Sequence, residues 1–228
     1  MRRKRRFPSG ARKYHRLSPR FERSGKTILI VTEGGKTEPN YFVELRNRFR
    51  LSATDIEVVH PDGTDPVTLT NKAIELREKR KNEAKSGILV EYDEVWVVFD
   101  LEKTHDIRRE QAKRAKVLPG AKGVNFALSD PSFEYWLLLH CEYTTASFPD
   151  NDSVEQRLKN HWPDYTKGSR PSPDFLEKVP DAVKHALRCR KHHRDCDGDG
   201  NPSTQADRVV RSMNEATREH LQYILPAE

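Results

Sequence analysis

The chain has 228 residues, enough to bury a core of its own, and 35% of them are hydrophobic against 33% charged. No run approaches the roughly 20 apolar residues needed to cross a bilayer. The basic N-terminus has no apolar segment behind it, and three cysteines, Cys141, Cys189 and Cys196, make no disulfide framework. A soluble, reduced, cytoplasmic protein without a membrane partner is the expectation. The net charge of +6 belongs to a tail: nine of the 41 Lys and Arg lie in residues 1–20 without an acid, leaving 32 basic against 35 acidic groups beyond.

In chain order, residues 27–32 are an apolar, β-branched run, too short for an ordinary helix, which predicts a strand covered on both faces. Residues 39–50 carry Phe42, Leu45 and Phe49 at helical spacing. A short strand at 56–60 closes on the turn Pro61-Asp62-Gly63, and 66–85 is a charged helix with Leu69, Ala73, Leu76 and Arg80 along one side. Residues 95–99 predict the central strand, 107–116 a helix, 123–128 a fourth strand, and 131–142 a helix rich in Phe, Trp and Leu. Alternating strands and helices predict an α/β fold, a Rossmann-like, mostly parallel four-stranded sheet with flanking helices and right-handed crossovers. Hydrophobic density falls after Tyr143, where Pro149, Pro163, Pro171, Pro173 and Pro180 punctuate the chain. The expected division is a basic tail at 1–24, a core at 25–143, and a C-terminal helical elaboration packed on it at 144–228.

The first strand stops at Glu33 and the central strand at Asp100, with Glu102 two residues on. Open α/β sheets bind ligands at the carboxyl ends of their strands. Glu33, Asp100 and Glu102 are therefore expected at one edge, where a hard divalent cation, Mg²⁺ or Mn²⁺, relieves their repulsion. Asp100 and Glu102, as alternate residues, share a face and are read with Glu33 as metal ligands. Glu33 also serves as a general acid or base. The competing readings are a solvent-facing loop glutamate at 33, and a turn acid followed by a surface glutamate at 100 and 102. Gly34-Gly35 lets backbone amides approach a phosphate, and Lys36 and Thr37 are placed to touch it. A P-loop is excluded because the first glycine of its motif is missing.

Asp130-Pro131 predicts an N-cap and first helical position. Glu134 then lies in the first helical turns, either favoured by the helix dipole or turned into the crevice as a catalytic group. Glu38 precedes a helix start, and His140 sits on an apolar face, the place of a satisfied core histidine. Residues 195–206 open like a calcium loop but carry Ala206 where a bidentate glutamate is required. Cys189, His192, His193 and Cys196 offer zinc-type donors without the paired Cys-x-x-Cys spacing. A flexible charged loop is the third reading of this stretch. In Asn201-Pro202-Ser203-Thr204 the amide and hydroxyls are suited to orienting a carboxylate or a phosphate; alternatively Ser203 or Thr204 caps a helix over 206–220. Arg2, Arg3, Lys4, Arg5 and Arg6 either lie along nucleic-acid phosphates by counterion release or form a solvated tail.

The segments at 28–42, 95–102, 129–140 and 201–204 resemble, in order and spacing, the RloB-like family, which is associated with restriction and phage-defence loci. The resemblance spans roughly residues 26–210. It implies a Toprim-like core, with a glutamate after the first strand and an acidic pair after the third that bind magnesium for phosphodiester chemistry. Glu33 matches the first position, and Asp100 with Glu102 the second, as Asp-x-Glu in place of Asp-x-Asp. Asp130 stands where an asparagine is expected in relatives.

Two functions follow. The first is a Mg-dependent nuclease acting on RNA (tRNA included) or DNA, an effector of a phage-defence system paired, by the same resemblance, with an ABC-class ATPase. The second is a non-catalytic, Toprim-like phosphate-binding regulatory subunit. The sequence leaves the choice of nucleic acid open, and with it assembly into a homo-oligomer.

Overall fold

The computed structural model describes residues 25–228 except positions 54, 64, 88, 102–104, 197–199, 219, 220 and 228. In its sheet β1 (Ile28–Thr32), five residues all buried, is flanked by β2 (Ile56–Val59) and by the central strand β3 (Glu94–Asp100), both in parallel register. β4 (Val124–Asp130) continues the parallel sheet. Side chains alternate between two cores, as parallel strands buried on both faces require. Ile28, Ile30, Trp96, Val98 and Ala127 face one cluster; Leu29, Val31, Val95, Val97 and Phe99 face the other. Burying each such aliphatic side chain contributes about 1.5–3 kcal/mol, which concentrates the stability of a charge-rich chain in these few strands.

The first face is covered by α1 (Thr37–Arg48), α4 (Glu134–Leu139), α7 (Val179–Asp195) and α8 (Ala206–Glu215), through Tyr41, Phe42, Trp136, Val183 and Val209. On the second lie α2 (Pro66–Lys85) and α3 (His105–Lys116), through Leu69, Ala73 and Ala112. The start of α2 follows from its sequence: Asp65 accepts from the Val67 and Thr68 amides, with Pro66 at the first helical position. Val154 and Leu158 of α5 (Asn151–Lys159) and Phe175 and Leu176 of α6 (Pro173–Leu176) join the first cluster, so 144–228 shares the core of the sheet. Among the described residues no helix is long and apolar enough to cross a membrane.

Three expectations are corrected. The sheet has five strands, in the order β2-β1-β3-β4-β5, because Ser203–Thr204 forms β5, antiparallel to β4 with Asp130 opposite Ser203. Two residues carry no periodicity, so this edge strand is invisible to pattern. Asp130 is not a helix cap. The Asp130-Pro131 bond is cis, and α4 begins at Glu134 with Phe133 as N-cap, well inside the predicted 131–142. The last helix stops at Glu215, short of the predicted 220.

Candidate active site

The acidic edge forms where three strands end. Glu33 extends the β1 ladder by one bond, its amide donating to Val98 O at 2.9 Å. Its Oε2 accepts from the Asp100 amide at 3.1 Å, and its Oε1 pairs with Arg108 Nη2 at 2.5 Å. Alternation along the strands decides which helix each acid meets. Asp100 follows Trp96 and Val98 and faces the α1 and α4 side; Glu33 follows Leu29 and Val31 and faces α3.

Four buried or nearly buried carboxylates result: Glu33, Glu38, Asp100 and Glu134. Burial holds the Asp100 carboxyl well above the usual carboxylate range, and the charges of Glu38, Glu134 and Glu33 push it the same way. Burial also raises Glu38, partly offset by the Gly34 amide, which donates to its Oε1 at 2.8 Å. Asp100 Oδ1 is buried without a hydrogen-bond partner among the described residues. An orphaned carboxylate oxygen costs free energy unless a proton or cation meets it. An all-oxygen donor set of this kind has the chemistry of a Mg²⁺ or Mn²⁺ site. Among the described residues, however, no three His, Cys, Asp or Glu side chains are arranged as a ready ligand set.

Glu134 occupies the first turn of α4, where its Oε1 accepts from Tyr165 Oη at 2.9 Å. The loop carrying Tyr165 is tied down beside it: Gly168 N donates to Thr37 Oγ1 at 3.2 Å, and Asn40 Nδ2 to Gly168 O at 2.6 Å. Thr37 is thereby engaged within the protein, whereas Lys36 is exposed. The Gly34 amide serves Glu38 where the sequence suggested phosphate.

The remaining candidates separate cleanly. Glu102 and Arg2, Arg3, Lys4, Arg5 and Arg6 lie outside the described residues, and β3 ends at Asp100, so the shared-face argument for Glu102 stops there. His140 is a core histidine. Its Nδ1–H donates to Trp136 O at 2.9 Å, Tyr41 Oη lies 3.2 Å from Nε2, and burial pushes its pKa down to about 3. Cys189 is buried between Tyr135 Oη and Pro202 O, while Cys196 is exposed beside His192. Residues 197–199 of the calcium-like loop lie outside the described residues. Asn201 orients a carboxylate, as its amide suggested: Nδ2 donates to Asp130 Oδ1 at 2.9 Å.

Sequence reading missed Arg108, Arg109 and Tyr165. The arginines sit in a helix with three further basic residues, which reads as a solvated face, and Tyr165 sits in a proline-punctuated loop without periodicity. Arg109 Nη2 lies 3.5 Å from Asp130 Oδ2, so consecutive arginines of α3 reach the ends of β1 and β4 on either side of β3.

Fold and edge together define an α/β protein with a cluster of buried carboxylates at the ends of its parallel strands, an arrangement compatible with a Rossmann-like, Toprim-type fold. The chain belongs to the RloB-like family, whose model, described as RloB-like protein, matches residues 28–213. No curated protein and no solved structure matches it.

Proposed function

We propose that this protein is a metal-dependent nuclease that hydrolyses phosphodiester bonds of RNA, tRNA included, or DNA, as the effector of a phage-defence system alongside an ABC-class ATPase. The observation that carries the chemistry is the buried cluster of Glu33, Glu38, Asp100 and Glu134, with Asp100 Oδ1 unpartnered among the described residues. The defence role and the ATPase rest on family resemblance alone.

In this reading Asp100 and Glu33 would hold a Mg²⁺ or Mn²⁺, with Glu134 in the same buried cluster. Bound there, the cation supplies Lewis-acid stabilisation of phosphoryl charge. In hydrolysis a water oxygen adds to phosphorus and one P–O ester bond breaks; a carboxylate takes the proton from water, and the leaving oxygen gains one. Glu33, at the end of β1, is the carboxylate this reading assigns to that proton transfer. Tyr165 fixes the Glu134 carboxylate, and the Asp100 amide fixes Glu33.

The test is cleavage of mixed tRNA, single-stranded RNA, plasmid and linear DNA with Mg²⁺, Mn²⁺ or EDTA, by wild type, Glu33→Gln and Asp100→Asn. Metal-dependent cutting, reduced about 10²- to 10⁴-fold in Glu33→Gln and lost in Asp100→Asn, supports the nuclease. Cutting unchanged in both variants overturns it. The second reading, a phosphate-binding regulatory subunit, is favoured by one observation: Glu33 is already paired with Arg108. Nucleic-acid binding without cutting, with and without a partner ATPase, is its signature.

A further inference from the structure

Hydrolysis needs a proton for the leaving oxygen, and Glu33, assigned to the attacking water, leaves that donor unnamed. A donor must face the carboxyl edge of the sheet and reload from solvent after each turnover. The buried carboxylates Glu38, Asp100 and Glu134 meet the first condition and not the second. His60 meets both. It follows β2 directly, at the same end of the sheet as Glu33 and Asp100, and it is exposed. Ile56 and Val58 pack into the first core cluster, so alternation turns His60 to the face that Asp100 also takes. β1 alone separates β2 from β3, which sets those two strands about 10 Å apart, a gap that an imidazole and a carboxylate can close around one phosphate.

The imidazole ring is held in place. Its Nδ1 lies 3.4 Å from Thr32 O, and a carbonyl only accepts, so Nδ1 carries a proton. The ring also lies against Gly35, where a β-carbon would stand 3.0 Å from both Cδ2 and Nε2. Glycine at 35 leaves the room that the imidazole occupies. Nε2 makes no hydrogen bond or ion pair among the described residues. With Nδ1–H on Thr32 O in both protonation states, the proton comes and goes at Nε2 alone.

We propose that His60 is a catalytic residue, the general acid that protonates the leaving oxygen. This rests on the nuclease reading and supplies the second half of its proton transfer. As the water oxygen bonds to phosphorus and the P–O ester bond breaks, Glu33 takes the proton of the water and the imidazolium gives its Nε2 proton to the departing oxygen. Glu33 then releases a proton to solvent and Nε2 takes one up, so one water is consumed and both groups are restored. Lys36, exposed one residue beyond Gly35, is the competing donor, but an ammonium keeps its proton near neutral pH where an imidazole releases it.

The experiment compares RNA and DNA oligonucleotides of natural linkage with forms in which sulfur replaces the 3′ or the 5′ bridging oxygen, cut by the full chain with Mn²⁺. A thiolate leaves without needing a proton, so a general acid matters only where oxygen leaves. Wild type, His60→Gln, Lys36→Gln and Asp100→Asn are compared, with circular dichroism as the check on folding. His60→Gln is expected to cut the natural linkage at least about 10²-fold more slowly and the sulfur-bridged linkage at the wild-type rate. Lys36→Gln is expected to treat the two linkages alike. Nitrogen-15 spectra of the histidine side chains, with His60→Gln for assignment, give a readout independent of cutting. At about pH 8, where imidazole is neutral, the proton of His60 is expected on Nδ1 with Nε2 bare.

Equal slowing of both linkages in His60→Gln overturns the assignment, as does no slowing of either. Selective loss in Lys36→Gln, or a proton on Nε2 in the neutral ring, overturns it too. If wild type cuts, Asp100→Asn does not, and His60→Gln cuts the natural linkage as wild type does, the assignment fails and the nuclease reading stands. If wild type cuts neither linkage, the nuclease reading fails and the assignment fails with it.

Discussion

Tyr165 donates a 2.9 Å hydrogen bond to Oε1 of Glu134, joining a loop of the C-terminal elaboration to a carboxylate at the start of α4. Both side chains are buried. Phe at position 165 keeps the ring packing and removes the donor. Tyr165→Phe is expected to cost about 1–3 kcal/mol in urea unfolding, because a buried carboxylate oxygen loses its partner. Cleavage is expected to fall while the fold is retained. An unchanged unfolding midpoint would show that Glu134 finds another donor.

Gly34 approaches Glu38 so closely that a β-carbon there would stand 2.0 Å from Glu38 Oε2. The carboxylate is buried and held by the Gly34 amide, so it has little room to retreat. Gly34→Ala is expected to cost about 1–3 kcal/mol through overpacking, with displacement of Glu38 lowering cleavage as well. Chemical unfolding and a cleavage rate on the same preparation test both effects.

His140 supplies the pH dependence of the core. Its folded pKa, depressed to about 3 by burial, lies below the usual histidine value of about 6.5. Between these two values the unfolded chain binds the extra proton. Stability is therefore intact above about pH 6.5 and falls as pH drops toward 3, by up to about 1.4 kcal/mol per pH unit from this group. His140→Gln, which does not titrate, is expected to be less stable at pH 7 but to lose less on acidification. Urea titrations at pH 7, 6 and 5 measure the two slopes.

Asn201 ties the end of β4 to the segment at Ser147-Phe148. Its Nδ2 donates to Asp130 Oδ1 and Phe148 O, and its Oδ1 accepts from Phe148 N and Ser147 Oγ. Asn201→Asp keeps the shape but sets an oxygen against the Asp130 carboxylate. It is expected to cost about 3 kcal/mol or more and to exceed the cost of Asn201→Ala, since repulsion adds to the lost donor. A melting series of the two variants ranks them.

The strands β1 to β4, their parallel direction and the acids that end β1 and β3 were legible in the chain because they rest on local signals. A short run of Ile, Leu and Val has no stable place except a sheet buried on both faces, and its last residue must then lie at the edge. The helix over 66–85 was equally legible, since Asp65-Pro66 defines its start within the chain. Other features depended on distance in sequence. β5 exists only because β4 offers an edge, and Asp130 reads as a helix cap until Asn201, 71 residues away, takes its carboxylate. Arg108 looks like one Lys or Arg among five on α3 until the crossover from β3 brings that helix over the end of β1. Composition and periodicity determined the scaffold and the acidic residues of the site. Tertiary structure alone decided which carboxylates crowd one another, which guanidinium answers them, and which phenol holds Glu134, because those contacts join residues whose neighbours in sequence carry no trace of them.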